Sequence, residues 1–367
     1  MKRPAIPKGR RTGAWRGVLA GATVALAVAS PGSTVPADNP AIVYEGRYAA
    51  VAGGGIRLGF PGVTAHLRFA GPGLVLRADA ANAEQYFDVA VDGAPPTVLR
   101  LHAGEGAYVL VPAGKPAEHH VALTRRNESW QGTVTLLDFD AGEGGALRPA
   151  PALPGRKLMF IGDSVTAGAM TAWTPGHENR DAAINSNGRL SYGMLLAREF
   201  GAQCHLVSYG GRGIIRDWQG IRKTNNAPQF YELALPDDPA ARWDQARYVP
   251  DAIGIQLGTN DFSPGIPDEV EFVGAYVEFL AKVRRDAPSA FIFIMDSPIV
   301  NDEPGKPRRT VLHAYLEEIV ARVNDPRVRL APLPHYPGVP GNGHPSAAEH
   351  VAMAMELAPL FKAALGW

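Results

Sequence analysis

The sequence predicts an α/β fold: a parallel β-sheet flanked by helices, preceded by a β-sandwich domain of the jelly-roll kind. Three observations carry this. Residues 40–147 hold short alternating runs separated by turn pairs, and a proline-rich stretch follows at 148–156. Residues 157–367 then alternate apolar strand runs with helical patterns.

In the first region the strand candidates are 56–60, 65–69, 74–77, 87–91 and 133–137, with Gly71-Pro72-Gly73 and Asp92-Gly93 as turns. Short strands at such spacing favour two packed antiparallel sheets. The connector Arg148-Pro149-Ala150-Pro151-Ala152-Leu153-Pro154-Gly155-Arg156 resists helix and central strand alike. Beyond it, 157–161, 204–208, 252–257 and 291–295 are continuous apolar runs, as expected of strands buried on both faces. Helical patterns cover 191–200, 270–285, 309–323 and 347–364. A sheet built this way binds ligands at the carboxyl ends of its strands.

The chain has 367 residues, 46% of them hydrophobic, with 36 Lys+Arg against 36 Asp+Glu. That is ample for a packed core, and the balanced charge argues against nucleic acid as a partner. One cysteine, Cys204, excludes an intrachain disulfide framework and a cysteine-based zinc site. Residues 1–29 hold six basic residues, no acid, a 13-residue apolar run at 17–29 and a small-x-small end, Ala27-Val28-Ala29. This reads as an export signal, since spanning a bilayer takes about 20 apolar residues. Arg10-Arg11 suggests the twin-arginine route, although Thr12-Gly13-Ala14 lacks the large apolar residue expected after the pair. Without 1–29 the charge becomes −6, and the mature protein is expected in the periplasm or outside the cell, with no membrane insertion.

Polar motifs fall at the strand ends. The first strand runs into Gly162-Asp163-Ser164-Val165-Thr166-Ala167-Gly168, where a serine in a tight turn can present its oxygen as a nucleophile. A plain helix N-cap is the competing reading of that turn. The pattern is not the G-x-S-x-G elbow, because Thr166 holds the last glycine position. The next strand ends Ser208-Tyr209-Gly210-Gly211-Arg212-Gly213, and the third ends Leu257-Gly258-Thr259-Asn260-Asp261. Backbone N–H groups and an asparagine amide can receive a developing oxyanion there. Gly341-Asn342-Gly343-His344-Pro345-Ser346 puts a histidine before the last helix, placed to act as general base.

Those four blocks, in order and in that context, resemble the SGNH (GDSL-like) hydrolase superfamily. The resemblance implies Ser164 as nucleophile and His344 as base. It also implies an oxyanion hole formed by the Ser164 N–H, the Gly211 N–H and the Asn260 side chain. Glu45-Gly46-Arg47, the segment His120 to Glu128, Gly211-Arg212-Gly213 and Gly258 to Ser263 extend the likeness over nearly all the mature chain. Together with the two-domain order they resemble carbohydrate esterase family 2, whose members are exported esterases removing acetyl groups from xylan and glucomannan. Two departures stand out: the superfamily's aspartate three residues before the histidine is Gly341 here, and Gly210 stands where the family tends to have serine. The first implies a Ser–His dyad, with a backbone carbonyl or a remote acid such as Asp296 on the ring's other nitrogen.

No cofactor and no metal is expected; His344 and His350 are six apart, not at helical zinc spacing. Asp163 and Asp261 read as loop-bonding residues and Cys204 as a small buried residue. Trp173, Trp218 and Trp243 are candidates to stack on sugar, a core or rim role being equally open. The expected partner is an acetylated polysaccharide or oligosaccharide. Two alternatives remain: a carbohydrate-binding protein whose catalytic domain has decayed, and a lipase or lysophospholipase. Against the latter, residues 169–190 are polar and show no apolar lid.

Overall fold

The computed structural model describes residues 34–176 and 182–367. The export segment at 1–29 and part of the polar stretch at 169–190 therefore lie outside the described residues.

The alternating runs of the N-terminal half pair antiparallel into two sheets. One has the order β3 (Tyr48–Val51), β4 (Gly55–Leu58), β11 (Val134–Asp140), β6 (Leu74–Ala80) and β9 (Gly104–Val111), with β1 (Thr34–Pro36) also on β11. The other has the order β12 (Ala146–Arg148), β5 (Thr64–Gly71), β10 (Ala117–Arg125), β7 (Gln85–Val91) and β8 (Thr97–Leu101), with β2 (Val43–Glu45) on β5. Alternation decides which face is buried: Leu74, Leu76, Ala78 and Ala80 of β6 are inside while Arg77 and Asp79 point out. Ala65, Leu67 and Phe69 of β5 join the same core. Strands β8 and β9 went unread in the sequence, because half their positions are exposed and apolar residues such as Val98 and Val109 stand on the outer face, which blurs the alternation.

Residues 149–156 form no helix or strand, and β13 (Lys157–Gly162) opens a five-stranded parallel sheet. Its order is β14 (Gln203–Ser208), β13, β15 (Ala252–Gln256), β16 (Phe291–Met295) and β17 (Val328–Ala331). Each central strand divides its side chains between two apolar layers. Leu158, Phe160, Phe293 and Met295 pack with Leu196 and Phe361, from helices α3 (Tyr192–Glu199) and α8 (Ala347–Leu365). Met159, Ile161, Ile253 and Ile294 pack with Phe272 and Leu316, from α6 (Glu269–Asp286) and α7 (Arg308–Val323). Burial on both faces is why these runs read as continuous rather than alternating. Chain order runs from β13 outward to β14 and then across to β15, so the direction of winding reverses beside β13. A cleft opens at the carboxyl ends there.

The sandwich is fastened to this domain by buried polar groups. Arg47, fully buried, donates to the Tyr231 carbonyl (2.5 Å), the Leu233 carbonyl (3.1 Å) and Gln245 Oε1 (3.0 Å). Desolvation lowers its pKa to about 10, so it stays charged at neutral pH. Asp88 of β7 accepts from Asn187 and Arg189, each at 2.8 Å, and Ser129 Oγ donates to the Ser208 carbonyl at 2.6 Å. Arg47→Met removes the donor from two buried carbonyls and the half-buried Gln245 amide and is expected to lower unfolding free energy by roughly 2–4 kcal/mol. A denaturant titration measures it; an unchanged midpoint would mean that the carbonyls find other donors.

Candidate active site

Three strand ends and one loop converge on the switch point. Ser164 is the first residue of α1 (Ser164–Ala167), directly after β13, and Asp163 caps that helix by accepting from the Val165 N–H at 3.0 Å. Gly211 follows β14 with φ +79°, a left-handed backbone that favours glycine. Asn260 lies in α5 (Thr259–Phe262), after β15. His344 comes from the loop preceding α8 and faces Ser164 from the opposite side.

The Ser164 hydroxyl lies 2.8 Å from His344 Nε2, so the two residues expected to be nucleophile and base meet in space. On the ring's other side, His344 Nδ1 lies 2.5 Å from Asn342 Oδ1. The His344 backbone N–H also points to that oxygen, at 3.4 Å. Two donors converging on one atom require it to be the amide oxygen, which places the proton on Nδ1 and leaves Nε2 as acceptor. That is the tautomer a general base needs. Neither acceptor anticipated from sequence is used. Asp296 instead pairs with His313 Nδ1 at 2.9 Å and takes the Leu333 N–H at 3.3 Å, so it is committed elsewhere. An asparagine two residues before a histidine can turn back on its own loop, and that local habit was the available signal for Asn342.

Asn260 Nδ2 donates to the Arg212 carbonyl at 2.9 Å and stands 3.5 Å from Asp163 Oδ2. The short bond fixes the amide plane, and the second hydrogen, held only weakly, is the one a substrate oxygen can take. Asp261 accepts from the N–H groups of Ile214 (3.0 Å) and Ile215 (2.9 Å), tying the third strand's end to the loop that carries Gly211. Asp163 and Asp261 thus bond the loops around the site, as their positions suggested.

Burial sets the charges. Desolvation lowers the His344 imidazole to about 4, so the ring is neutral through the neutral range. Buried Asp163 is raised to about 6 by desolvation, which outweighs its hydrogen bonds. Among the described residues no cluster of three or more His, Cys, Asp or Glu could hold a metal ion, and no helix is long and apolar enough to cross a membrane.

The cleft, about 810 Å³, is lined by Ser164, Gly211, Asn260 and His344 together with Trp130, Trp218 and Glu128. Trp218 is 55% exposed and lies against Gly211, where an added Cβ would stand 2.9 Å from its ring. Trp130, 51% exposed, comes from the sandwich and went unrecognised, because nothing local says that its loop reaches across. Of the other two tryptophans, Trp243 is buried beside Tyr48, His205 and Arg47, and Trp173 is half-buried and outside the cleft lining.

Residues 44–151 match the family described as carbohydrate esterase 2 N-terminal, and residues 160–351 match the GDSL-like lipase/acylhydrolase family. An acetylxylan esterase / glucomannan deacetylase from Cellvibrio japonicus (strain Ueda107) is 36% identical over 335 residues, 91% of this chain and 92% of its own. Among solved structures, a family two carbohydrate esterase from Cellvibrio japonicus superposes with a TM-score of 0.86. It is 35% identical and covers 91% of this chain and 98% of that one. A second, from Clostridium thermocellum in complex with cellohexaose, has a TM-score of 0.81 at 30% identity, covering 89% and 99%. Both halves of the chain match the two parts of one architecture, along nine tenths of its length, and the protein belongs to carbohydrate esterase family 2.

Proposed function

We propose that this protein is an exported serine esterase that removes O-acetyl groups from plant polysaccharides such as acetylxylan and acetylated glucomannan. The observation that carries the reading is the continuous chain from the Ser164 hydroxyl to His344 Nε2, and from Nδ1 to Asn342, at the floor of a cleft walled by two exposed tryptophans. The acetylxylan esterase / glucomannan deacetylase activity of the Cellvibrio relative supports the substrate class. The basic, then apolar N-terminal segment supports export.

In this mechanism His344 Nε2 takes the Ser164 proton as Oγ attacks the acetyl carbonyl. The oxyanion rests on the Ser164 and Gly211 N–H groups and on Asn260 Nδ2. Collapse breaks the ester bond, the sugar oxygen leaves with the proton from His344, and the acetyl group stays on Ser164. Water then attacks; His344 takes its proton and returns one to Ser164 Oγ as acetate departs. Asn342 holds the ring in the required tautomer but has no charge with which to stabilise imidazolium.

Purified protein should cleave 4-nitrophenyl acetate and acetylated xylan while leaving the octanoate largely intact, and Ser164→Ala should be inert. Octanoate preference would assign a lipase; no activity above Ser164→Ala would leave a binding protein. Asn260→Ala should lose roughly 10²–10³ in kcat, about 2.7–4 kcal/mol, and stay folded by circular dichroism. Full activity would remove Asn260 from the oxyanion hole.

The depressed His344 pKa gives a pH signature. The base works when neutral, so kcat/KM should hold through weakly acidic pH and fall only as pH drops through about 4. Asn342→Asp sets a carboxylate against Nδ1, favours imidazolium and should move that acid limb up by roughly 1–3 pH units. Coincident profiles for the two proteins would show that Asn342 does not govern the base.

A further inference from the structure

One buried acid in the cleft has no part in that mechanism. Glu128 enters from the sandwich on the loop after β10, is 3% exposed and lines the same cleft as Ser164 and His344. Its backbone N–H donates to Gln131 Oε1 at 2.9 Å and its carbonyl accepts from Arg125 Nη2 at 3.4 Å, while the carboxyl faces the Gln131 backbone N–H in a capping box at the start of the short turn 129–131. Oε1 takes a long bond from Ser186 Oγ, 3.4 Å. The Trp130 indole N–H lies close enough to favour the ionised form, yet no hydrogen bond of good geometry reaches Oε2 among the described residues. Burial outweighs those donors and raises the carboxyl to about 7. The cation nearest to hand in the cleft, Arg212, is paired with Asp217 at 3.2 Å.

Gly210 lies directly against this group: a Cβ added there would stand 2.3 Å from Glu128 Oε2 and 3.0 Å from Trp130 Nε1, so a larger residue would have to displace the carboxyl from its present position. An acceptor that is desolvated, short of partners and set beside the loop that carries Gly211 is matched by a hydroxyl-bearing ligand, not by the methyl of an acetyl group.

We infer that Glu128 is a substrate-binding residue: its carboxyl group accepts a hydrogen bond from a free hydroxyl of the sugar whose neighbouring oxygen carries the acetyl group. The sandwich domain thereby reads the sugar while the α/β domain cleaves the ester. The inference rests on the deacetylase reading above.

The test compares two acetate esters on the full chain and its variants. Acetylated xylo-oligosaccharide offers free sugar hydroxyls; 4-nitrophenyl acetate has the same acyl group and none. In Glu128→Ala the ratio of kcat/KM, sugar ester over aryl ester, should fall about tenfold, with Glu128→Gln, which keeps a neutral acceptor, falling less. A ratio that falls by less than roughly threefold in Glu128→Ala, including one in which both activities drop together, overturns the inference and leaves Glu128 a structural residue. Thermal melts establish folding. Should Glu128→Ala not fold, the isosteric Glu128→Gln decides, a fall of roughly twofold or more supporting the inference and a smaller one overturning it. A wild-type protein that cleaves the aryl ester but not the sugar ester fails the deacetylase reading itself; cleavage of both with an unmoved ratio fails only the role of Glu128.

Discussion

A guanidinium out of water must place its hydrogens on acceptors, and Arg125 does so by gathering the sandwich loop that docks on the α/β domain. Fully buried at the end of β10, it donates to the carbonyls of Gly59 (2.9 Å), Asn127 (2.7 Å) and Gly132 (2.5 Å), with Gln85 Oε1 at 3.3 Å. Desolvation lowers its pKa to about 9, and it remains a cation at neutral pH. No carboxylate is among those acceptors. The charge is met by the carbonyl dipoles of the segment it organises, so the loop cannot relax without stranding a buried ion. That loop delivers Glu128 and Trp130 to the cleft and seats Ser129 on the end of β14. The shape of the site thus depends on the sandwich staying docked. With Arg47 and Asp88 also bridging the domains, the chain behaves as one body with a shared core rather than as an enzyme with an appendage.

The proton chain shows what remains when a triad loses its acid. An amide oxygen on Nδ1 does the orienting part of the work, since it selects the tautomer and the ring angle. It does not do the electrostatic part, because it adds no negative charge to stabilise imidazolium. Burial alone lowers the ring's pKa, and with no carboxylate to oppose it His344 stays neutral and its basicity low. In the proposed mechanism the burden of transition-state stabilisation then falls more heavily on the Ser164 and Gly211 N–H groups and Asn260, on strand ends cross-tied by Asp163 and Asp261.

Most of the α/β half was legible in the residues. Its four apolar runs became β13, β14, β15 and β16 within a residue or two, since a strand buried on both faces leaves an unbroken apolar signature. The edge strand β17 (Val328–Ala331), short and half polar, left no such trace. In the sandwich β4, β5, β6, β7 and β11 were readable, while the rim strands and the central β10 (Ala117–Arg125), whose first half is polar and partly exposed, were not. Of the candidate site, Ser164, Gly211, Asn260 and His344 were nameable because each sits in a local motif at a strand or helix end. Asn342, Trp130 and Glu128 were not assigned roles, although all three stand in plain view in the chain.

The division follows from the range of the interactions. Periodicity, turn residues and the four blocks are written in spans of ten residues or fewer, and those spans by themselves determined the order of elements, the fold class and which groups could do chemistry. Tertiary structure alone decided that the loop after β10 lies against Gly210, that Asp296 answers His313 rather than His344, and that Trp218 faces the cleft while Trp243 is walled in. Each of those depends on contacts between residues tens to hundreds of positions apart. Their partners are chosen by packing, which no local pattern encodes.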